Sequence, residues 1–158
     1  MDMNASYNKL VTKHLPKAQI VYDRFHMQSQ FGRDVLGVVR LDEARRHKAK
    51  EKEILVDISD DTDKETMESL KQEAKTEKQE YSQLKKLRWS LFINSDKLSD
   101  SKTEQLQSIQ QDQHDLAVCY AMKEEMCRLY ELTDYQQAVI GWTKWFQAAK
   151  ESEIPALV

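Results

Sequence analysis

Residues 18–27, with the sequence A-Q-I-V-Y-D-R-F-H-M, constrain the fold of this chain more than any other stretch. The compact β-branched and aromatic run from Ile20 to Tyr22 is typical of a strand, and it ends directly on the carboxylate of Asp23. A long helical pattern then begins at Arg24. Active-site side chains are often found where a strand ends before a helix, because neighbouring strands hold the strand while its end faces substrate. The stretch therefore predicts an α/β element with a functional edge.

A short helix is expected just before this strand. The pattern over residues 5–14 is helical, with Asn4 as its cap and Pro16 as its stop. An α/β unit also needs a strand before that helix, and this earlier strand would end near Asp2. Because a lone strand leaves its backbone groups unpaired, we expect the chain either to pair with a second copy or to be cut from a larger protein.

The rest of the chain has a helix-rich composition, with three Gly, two Pro and 32% charged residues. Helical patterns cover residues 24–52, 62–94, 101–132 and 133–151. The last three begin with capping boxes, which are Thr62 with Glu65, Ser101 with Glu104, and Thr133 with Gln136. The second pattern has a seven-residue rhythm broken at Glu77 and Arg88, which favours a helical hairpin over a long dimer zipper. From Thr62 onward we expect an antiparallel helical bundle.

Composition and charge exclude several classes of protein. No apolar run approaches the roughly 18 residues that a membrane span requires, and the first residues lack the parts of a signal peptide. Cys119 and Cys127 fit reduced thiols on one helix better than a zinc site or a disulfide framework. His14, His47 and His114 form no cluster and are interpreted as surface residues. The net charge of −3 argues against a generally basic nucleic-acid coat. We expect a cytoplasmic protein without membrane contact, whose nucleic-acid contacts are local.

Two local clusters of cations are candidates for phosphate contact. The first includes Arg40, Arg45, Arg46 and Lys48, and the second comprises Lys85, Lys86, Arg88 and Trp89. Cations grouped on one helix release counterions from DNA, and an aromatic side chain among them can stack on a base. The structural alternative for the first cluster is a solvated face offset by Glu43 and Glu51, and the residues alone favour it. In the second cluster, Trp89 packs inward in the structural alternative, and the residues alone leave both interpretations open.

Several segments, taken in order, resemble the IS-L-three family of bacterial insertion-sequence transposases. The most specific is L-P-K-A-Q-I-V-Y-D-R-F-H, followed by R-L-D-E-A-R-R, L-K-K-L-R-W-S-L-F-I-N, A-V-C-Y-A-M-K-E-E-M-C-R-L-Y and W-T-K-W-F-Q-A-A-K-E-S-E-I-P. The family implies an RNase H-like catalytic domain with an Asp-Asp-Glu triad, interrupted after its last strand by a helical insertion. The implied fold is mainly α. Residues 1–33 would be a short α-β-α remnant of the RNase H-like domain, and residues 34–158 an antiparallel helical insertion bundle.

The resemblance also implies roles for single residues. Asp2 matches the second aspartate of the triad, which would be catalytic and a ligand of Mg²⁺. Asp23 and His26 match an Asp-x-x-His signature, which we interpret as support for the active site and not as metal ligation. The other two triad acids would lie outside these residues, so we expect an inactive fragment or decayed copy of an enzyme that cleaves and joins DNA. The implied partners are the insertion-sequence ends and further copies of the chain, and with the resemblance counted the first cluster too becomes a DNA contact.

Alternatives from the residues themselves stay open. An aspartate beside an initiator methionine is usually a surface residue near a frayed end. Asp23 can simply cap its helix while His26 packs beside Phe25. For the whole chain, the rival interpretation is a stand-alone helical interaction module that dimerises through residues 62–94 and has no nucleic-acid role. Salt-dependent binding to DNA would separate the two functions.

Overall fold

The computed structural model describes residues 5–58 and 63–158, without the side chains of residues 109 and 110. Its α-helices are α1 (Ala5–His14), α2 (Arg24–Phe31), α3 (Gly37–Val56), α4 (Lys64–Lys86), α5 (Asp100–Asp112), α6 (His114–Leu129) and α7 (Tyr135–Glu151). A π-helical turn, Gly32–Leu36, joins α2 to α3. Two 3-10 turns, Ser90–Phe92 and Ser95–Lys97, follow α4. The prediction of a mainly α fold is confirmed.

The strand predicted at residues 18–22 is not formed. These residues are irregular, and no strand occurs anywhere in the two described ranges. The backbone is nevertheless extended at Asp23, with φ −69° and ψ 127°. A strand exists only through hydrogen bonds to a neighbouring strand, and the described part of the chain provides no such neighbour. The α-β-α remnant is therefore absent from the described residues, although α1 has the predicted bounds.

The helices α2 and α3 and the π turn between them form one continuous helical run. Gly32 opens the turn, and a Cβ atom built on it would lie 2.5 Å from the Cε1 atom of Phe92. Because a real side chain cannot approach so closely, glycine allows Phe92 to pack directly on the turn. The run continues to Val56, four residues beyond the predicted end. The predicted domain boundary between residues 33 and 34 falls within the turn and stays a prediction.

Helices α3 and α4 form an antiparallel hairpin. The seven-residue pattern favoured a helical hairpin but did not identify α3 as the partner of α4. Contacts run from Arg40 with Leu84 to His47 with Glu77, so the two helices have opposite directions. The core lies where this hairpin meets α6. Its fully buried side chains are Leu36, Leu84, Leu87, Leu91, Leu116 and Cys119. Both cysteines are free thiols.

Several predicted helix boundaries differ from the structure. α4 ends at Lys86 and not near residue 94, and α5 begins at Asp100, so Ser101 lies inside α5 and is not its cap. α4 is capped by Asp63, whose carboxylate accepts hydrogen bonds from two backbone N–H groups, while Thr62 of the predicted box lies outside the described residues. α7 is capped by Asp134 and not by Thr133. A carboxylate satisfies the first N–H groups and also complements the positive helix end, which favours Asp over the neighbouring Thr. The helix predicted for residues 101–132 is split at Gln113 into α5 and α6.

Helix α7 approaches α6 closely through Gly141. A Cβ atom at this position would lie 2.4 Å from Cδ2 of the buried Leu129. The indole N–H of Trp145 also donates a hydrogen bond of 2.8 Å to the carbonyl of Met122. Trp142 and Trp145 are partly buried and pack against the core, whereas Phe146 remains exposed.

Gly141→Ala is expected to lower the free energy of unfolding by roughly 1–2 kcal/mol, because overpacking against Leu129 outweighs the better helix propensity of alanine. Gly37→Ala is the matched control. The nearest atom to its new Cβ is the carbonyl oxygen of Gly32 at 3.4 Å, so this variant should gain up to about 1 kcal/mol. Urea unfolding of both variants measures the difference, and equal effects at the two positions would contradict the close packing of α6 and α7.

Candidate nucleic-acid interface

The end of α4 presents a group of cations beside an exposed indole. We call Lys85, Lys86, Arg88 and Trp89 the α4 end cluster. Trp89 is 67% exposed, and Cζ of Arg88 lies 5.0 Å from the centroid of its ring. None of the ion pairs among the described residues uses these three cations. An exposed indole beside cations that have no ion pair among the described residues makes this edge a candidate binding surface.

The backbone around Trp89 is fixed on both sides. Leu87 and Leu91 are fully buried in the core, so the short segment between them has anchors at each end. The ring of Phe92 lies 6.3 Å from that of Trp89 and packs on Gly32. The outward direction of Trp89 therefore follows from the fold of its neighbours and not from a loose loop. The alternative in which Trp89 packs inward is not what the structure contains.

Helix α6 holds in place the residues that follow Trp89, from Leu91 to Ile93. Lys123 is only 3% exposed, and its ammonium group donates hydrogen bonds to the carbonyls of Ile93 at 2.7 Å and Leu91 at 3.4 Å. Its charge is paired with Glu124 at 2.7 Å. The hydroxyl of Tyr120 also donates to the carbonyl of Ile93, at 3.2 Å. These contacts fix the chain directly after the α4 end cluster.

Glu124 remains a charged partner at neutral pH. Burial by itself would raise the pKa of this carboxyl, but hydrogen bonds from Lys123 and Ser95, together with the charge of Lys123, lower the pKa below its ordinary value. Sequence reasoning missed Lys123. The available signal was a lysine at helical spacing from Leu116, Cys119 and Tyr120, which places a charge on the apolar face of α6.

The first predicted cluster is differently arranged. Arg45 pairs with Asp42 at 2.6 Å, Arg46 with Glu43 at 2.7 Å, and Lys48 with Glu51 at 2.5 Å. Each of these cations would have to leave a carboxylate on its own helix before binding a phosphate. The ammonium groups of Lys48 and Lys85 lie 5.7 and 5.9 Å from the ring centroid of Tyr81, so the two clusters meet at this ring.

Arg40 has a structural position. It is 6% exposed, and its guanidinium donates to the carbonyls of Leu84 at 3.1 Å and Lys85 at 3.4 Å. Burial and the nearby charge of Arg88 lower the pKa of Arg40 from its ordinary value. The side chain satisfies carbonyls that the end of α4 leaves without a helical partner. Arg40, which the sequence made a candidate for DNA contact, is thus buried and connects α3 to the end of α4, and its contact with DNA stays a prediction.

His47 is not the surface residue that the sequence suggested. Its Nδ1 lies 2.6 Å from Glu77, its Nε2 lies 2.9 Å from the amide nitrogen of Gln113, and its side chain is largely buried. This contact places Glu77, the acid that interrupts the seven-residue pattern, opposite a hydrogen-bonding partner. It also connects the break between α5 and α6 to the hairpin.

Asp23 and His26 lie together at the start of α2. One carboxylate oxygen of Asp23 accepts a hydrogen bond from the N–H of Phe25, and the other lies 3.1 Å from Nδ1 of His26. Both side chains are about half exposed. Asp23 thus both caps α2 and orients the imidazole of His26.

Asp2 lies outside the described residues. Among the described residues, no group of three or more His, Cys, Asp or Glu side chains is arranged to hold a metal ion.

The fold and this surface define a helical module with one edge that is both cationic and aromatic. The sequence model of the IS-L-three family of DDE transposases, described as "Transposase", matches residues 1–158, and the chain belongs to this family. The transposase for insertion sequence element IS1001 from Bordetella parapertussis is 27% identical over 157 residues, which are 99% of this chain and 32% of that protein. The chain thus spans about a third of the length of this relative.

No solved structure matches the chain. None of the helices in the described ranges is long and apolar enough to cross a membrane.

Proposed function

We propose that this chain is part of a DNA transposase that cleaves and joins the ends of an insertion sequence, and that the α4 end cluster contacts the DNA. Membership of the transposase family supports the first statement. The observation that supports the second is a set of three cations, without carboxylate partners in the described chain, beside an exposed indole. Such cations contribute the most free energy when they bind a phosphate backbone, because no ion pair must be broken first.

In this proposal catalysis belongs to the whole protein. DNA cleavage and joining is phosphoryl transfer, for which two divalent cations such as Mg²⁺ stabilise the attacking and leaving oxygens. Asp2 is the proposed catalytic carboxylate and metal ligand, while Asp23 and His26 are positioning residues, since the cap and the imidazole already use both oxygens of Asp23. One carboxylate cannot hold two metal ions, so residues 1–158 alone should be inactive. Residues 1–33 would belong to the catalytic core and residues 34–158 to the insertion.

The remaining cations contribute less to the proposed DNA surface. The paired side chains Arg45, Arg46 and Lys48 extend it beyond Tyr81, but each must exchange a carboxylate for a phosphate. We also propose that the active form is a homo-oligomer, since the two ends of an insertion sequence require two equivalent binding surfaces.

Replacing Lys85, Lys86 and Arg88 by Ala is expected to weaken binding to a mixed-sequence duplex about tenfold at low salt. The plot of log affinity against log salt should become less steep by about 2.7, at about 0.9 for each lost phosphate contact. Fluorescence anisotropy across a salt series measures both. The matched control replaces Lys71, Lys75 and Lys78, three exposed lysines of the same helix, and should retain affinity. Replacing Arg45, Arg46 and Lys48 should change the slope by less than half as much.

An unchanged slope in the α4 variant would remove the cluster from the DNA surface. If the unmodified protein showed no salt-dependent binding at all, the stand-alone interaction module would be the better description. Sedimentation of the same samples then tests whether the chain dimerises.

A further inference from the structure

We infer that Trp89 and Phe92 form a binding subsite for an unpaired DNA base, so that the surface recognises DNA with an unstacked end and not only a duplex. This inference rests on the proposed function, because the α4 end cluster must first bind the backbone. It names the class of DNA that the surface prefers, DNA with an unpaired base, which cations alone would not distinguish from a duplex.

The exposed indole offers a stacking surface to a ligand with an aromatic face. In a duplex the faces of the bases are covered by stacking, and only their edges reach a protein surface. An indole that is 67% exposed can therefore stack only on a base that has left the helix. Phe92, which is 39% exposed and tilted by 48° against Trp89, adds a second apolar surface on the same edge. Together the two rings offer an apolar edge to an unstacked base.

Cations lie beside the aromatic rings of this edge. The guanidinium of Arg88 is 5.0 Å from the indole centroid, and Lys85 precedes it by one helical turn. Arg88 covers part of the indole, and the exposed remainder is available to a base. A base stacked on the exposed part of the indole thus has cations nearby that can bind its phosphate.

The subsite is formed before any ligand binds. Leu87 and Leu91 are buried on either side of Trp89, and Phe92 packs on Gly32 at a distance that no other residue allows. A surface fixed in this way loses little conformational freedom on binding, which strengthens the interaction. A solvated loop tryptophan without such anchors would have no comparable advantage.

The test compares two DNA probes of the same sequence, one a blunt duplex and one with a short unpaired overhang. The unmodified protein should bind the overhang probe about tenfold more tightly, the value expected for one stacked base. The affinities for the two probes should become equal in Trp89→Ala, and Trp89→Phe should retain part of the preference. Tyr135→Ala removes an aromatic side chain that is 81% exposed on α7 and should change neither value.

Each result has one meaning. Duplex binding without a preference for the overhang, or a preference that survives in Trp89→Ala, overturns the subsite and leaves the proposed DNA surface intact. Failure of the unmodified protein to bind either probe overturns the proposed function and the subsite with it. Because Trp89 lies at the surface, circular dichroism should show an unchanged fold in all three variants.

Discussion

Lys123→Met is expected to lower the free energy of unfolding by about 3 kcal/mol or more, a loss typical of breaking a buried charged interaction. The lysine is 3% exposed, and its ammonium group is hydrogen bonded to the carbonyls of Leu91 and Ile93 and paired with Glu124. Methionine fills nearly the same space but donates no hydrogen bond. The Leu91 carbonyl would therefore lose this donor, the Ile93 carbonyl would retain only the Tyr120 hydroxyl, and Glu124 would retain Ser95. Urea unfolding followed by circular dichroism measures the change.

The control for this variant is Lys144→Met, which makes the same chemical change at an exposed position of α7. It should alter stability by no more than about 0.5 kcal/mol. If Lys123→Met were as stable as this control, α6 would not be the element that fixes the chain after α4. If instead stability falls as expected, the position of the α4 end cluster depends on a residue that does not contact DNA.

Arg40→Met is expected to lower the free energy of unfolding by about 2 kcal/mol. The guanidinium hydrogen bonds to the carbonyls of Leu84 and Lys85 would be lost, and bonds that involve a charged group contribute about 1.5–3 kcal/mol each. Removing the repulsion between Arg40 and Arg88 offsets part of this loss. Chemical unfolding of the variant tests the value.

Arg45→Met provides the comparison on the same helix, since Arg45 is exposed and should be nearly neutral for stability. A different combination of stability and DNA binding in Arg40→Met would change the interpretation of Arg40. If Arg40→Met kept full stability but weakened binding to DNA at low salt, Arg40 would act as a phosphate contact, as the family resemblance implied.

Local patterns in the sequence were sufficient for most helices and for the hairpin. The bounds of α1 follow from an apolar face and a proline, and a helical hairpin, although not the identity of its partner helix α3, follows from the seven-residue rhythm. These features depend on interactions within a few residues of each other. The split at Gln113 was missed because its cause is not local, since the side chain of Gln113 reaches His47 on a distant helix.

The strand at residues 18–22 illustrates a different limit. Its residues have the right propensity, but a strand also requires a partner, and propensity contains no information about partners. The environments of the cations likewise depend on contacts between distant residues, which local sequence does not determine. Sequence placed Arg40, Arg45 and Lys86 in one chemical class, yet the fold buries the first, pairs the second with Asp42 and leaves the third without an ion pair in the described chain.

The unbroken helical run from α2 through the π turn to α3 has a mechanical consequence. The run begins at Arg24, directly after Asp23, and ends at Val56 in the hairpin, so it extends over about 50 Å. A rod of this kind transmits rotation from one end to the other. A ligand that tilts the hairpin would therefore turn the pair of Asp23 and His26 in the same direction, unless the run bends. The place for such a bend is Gly32–Leu36, where the helix is π-helical and not α-helical.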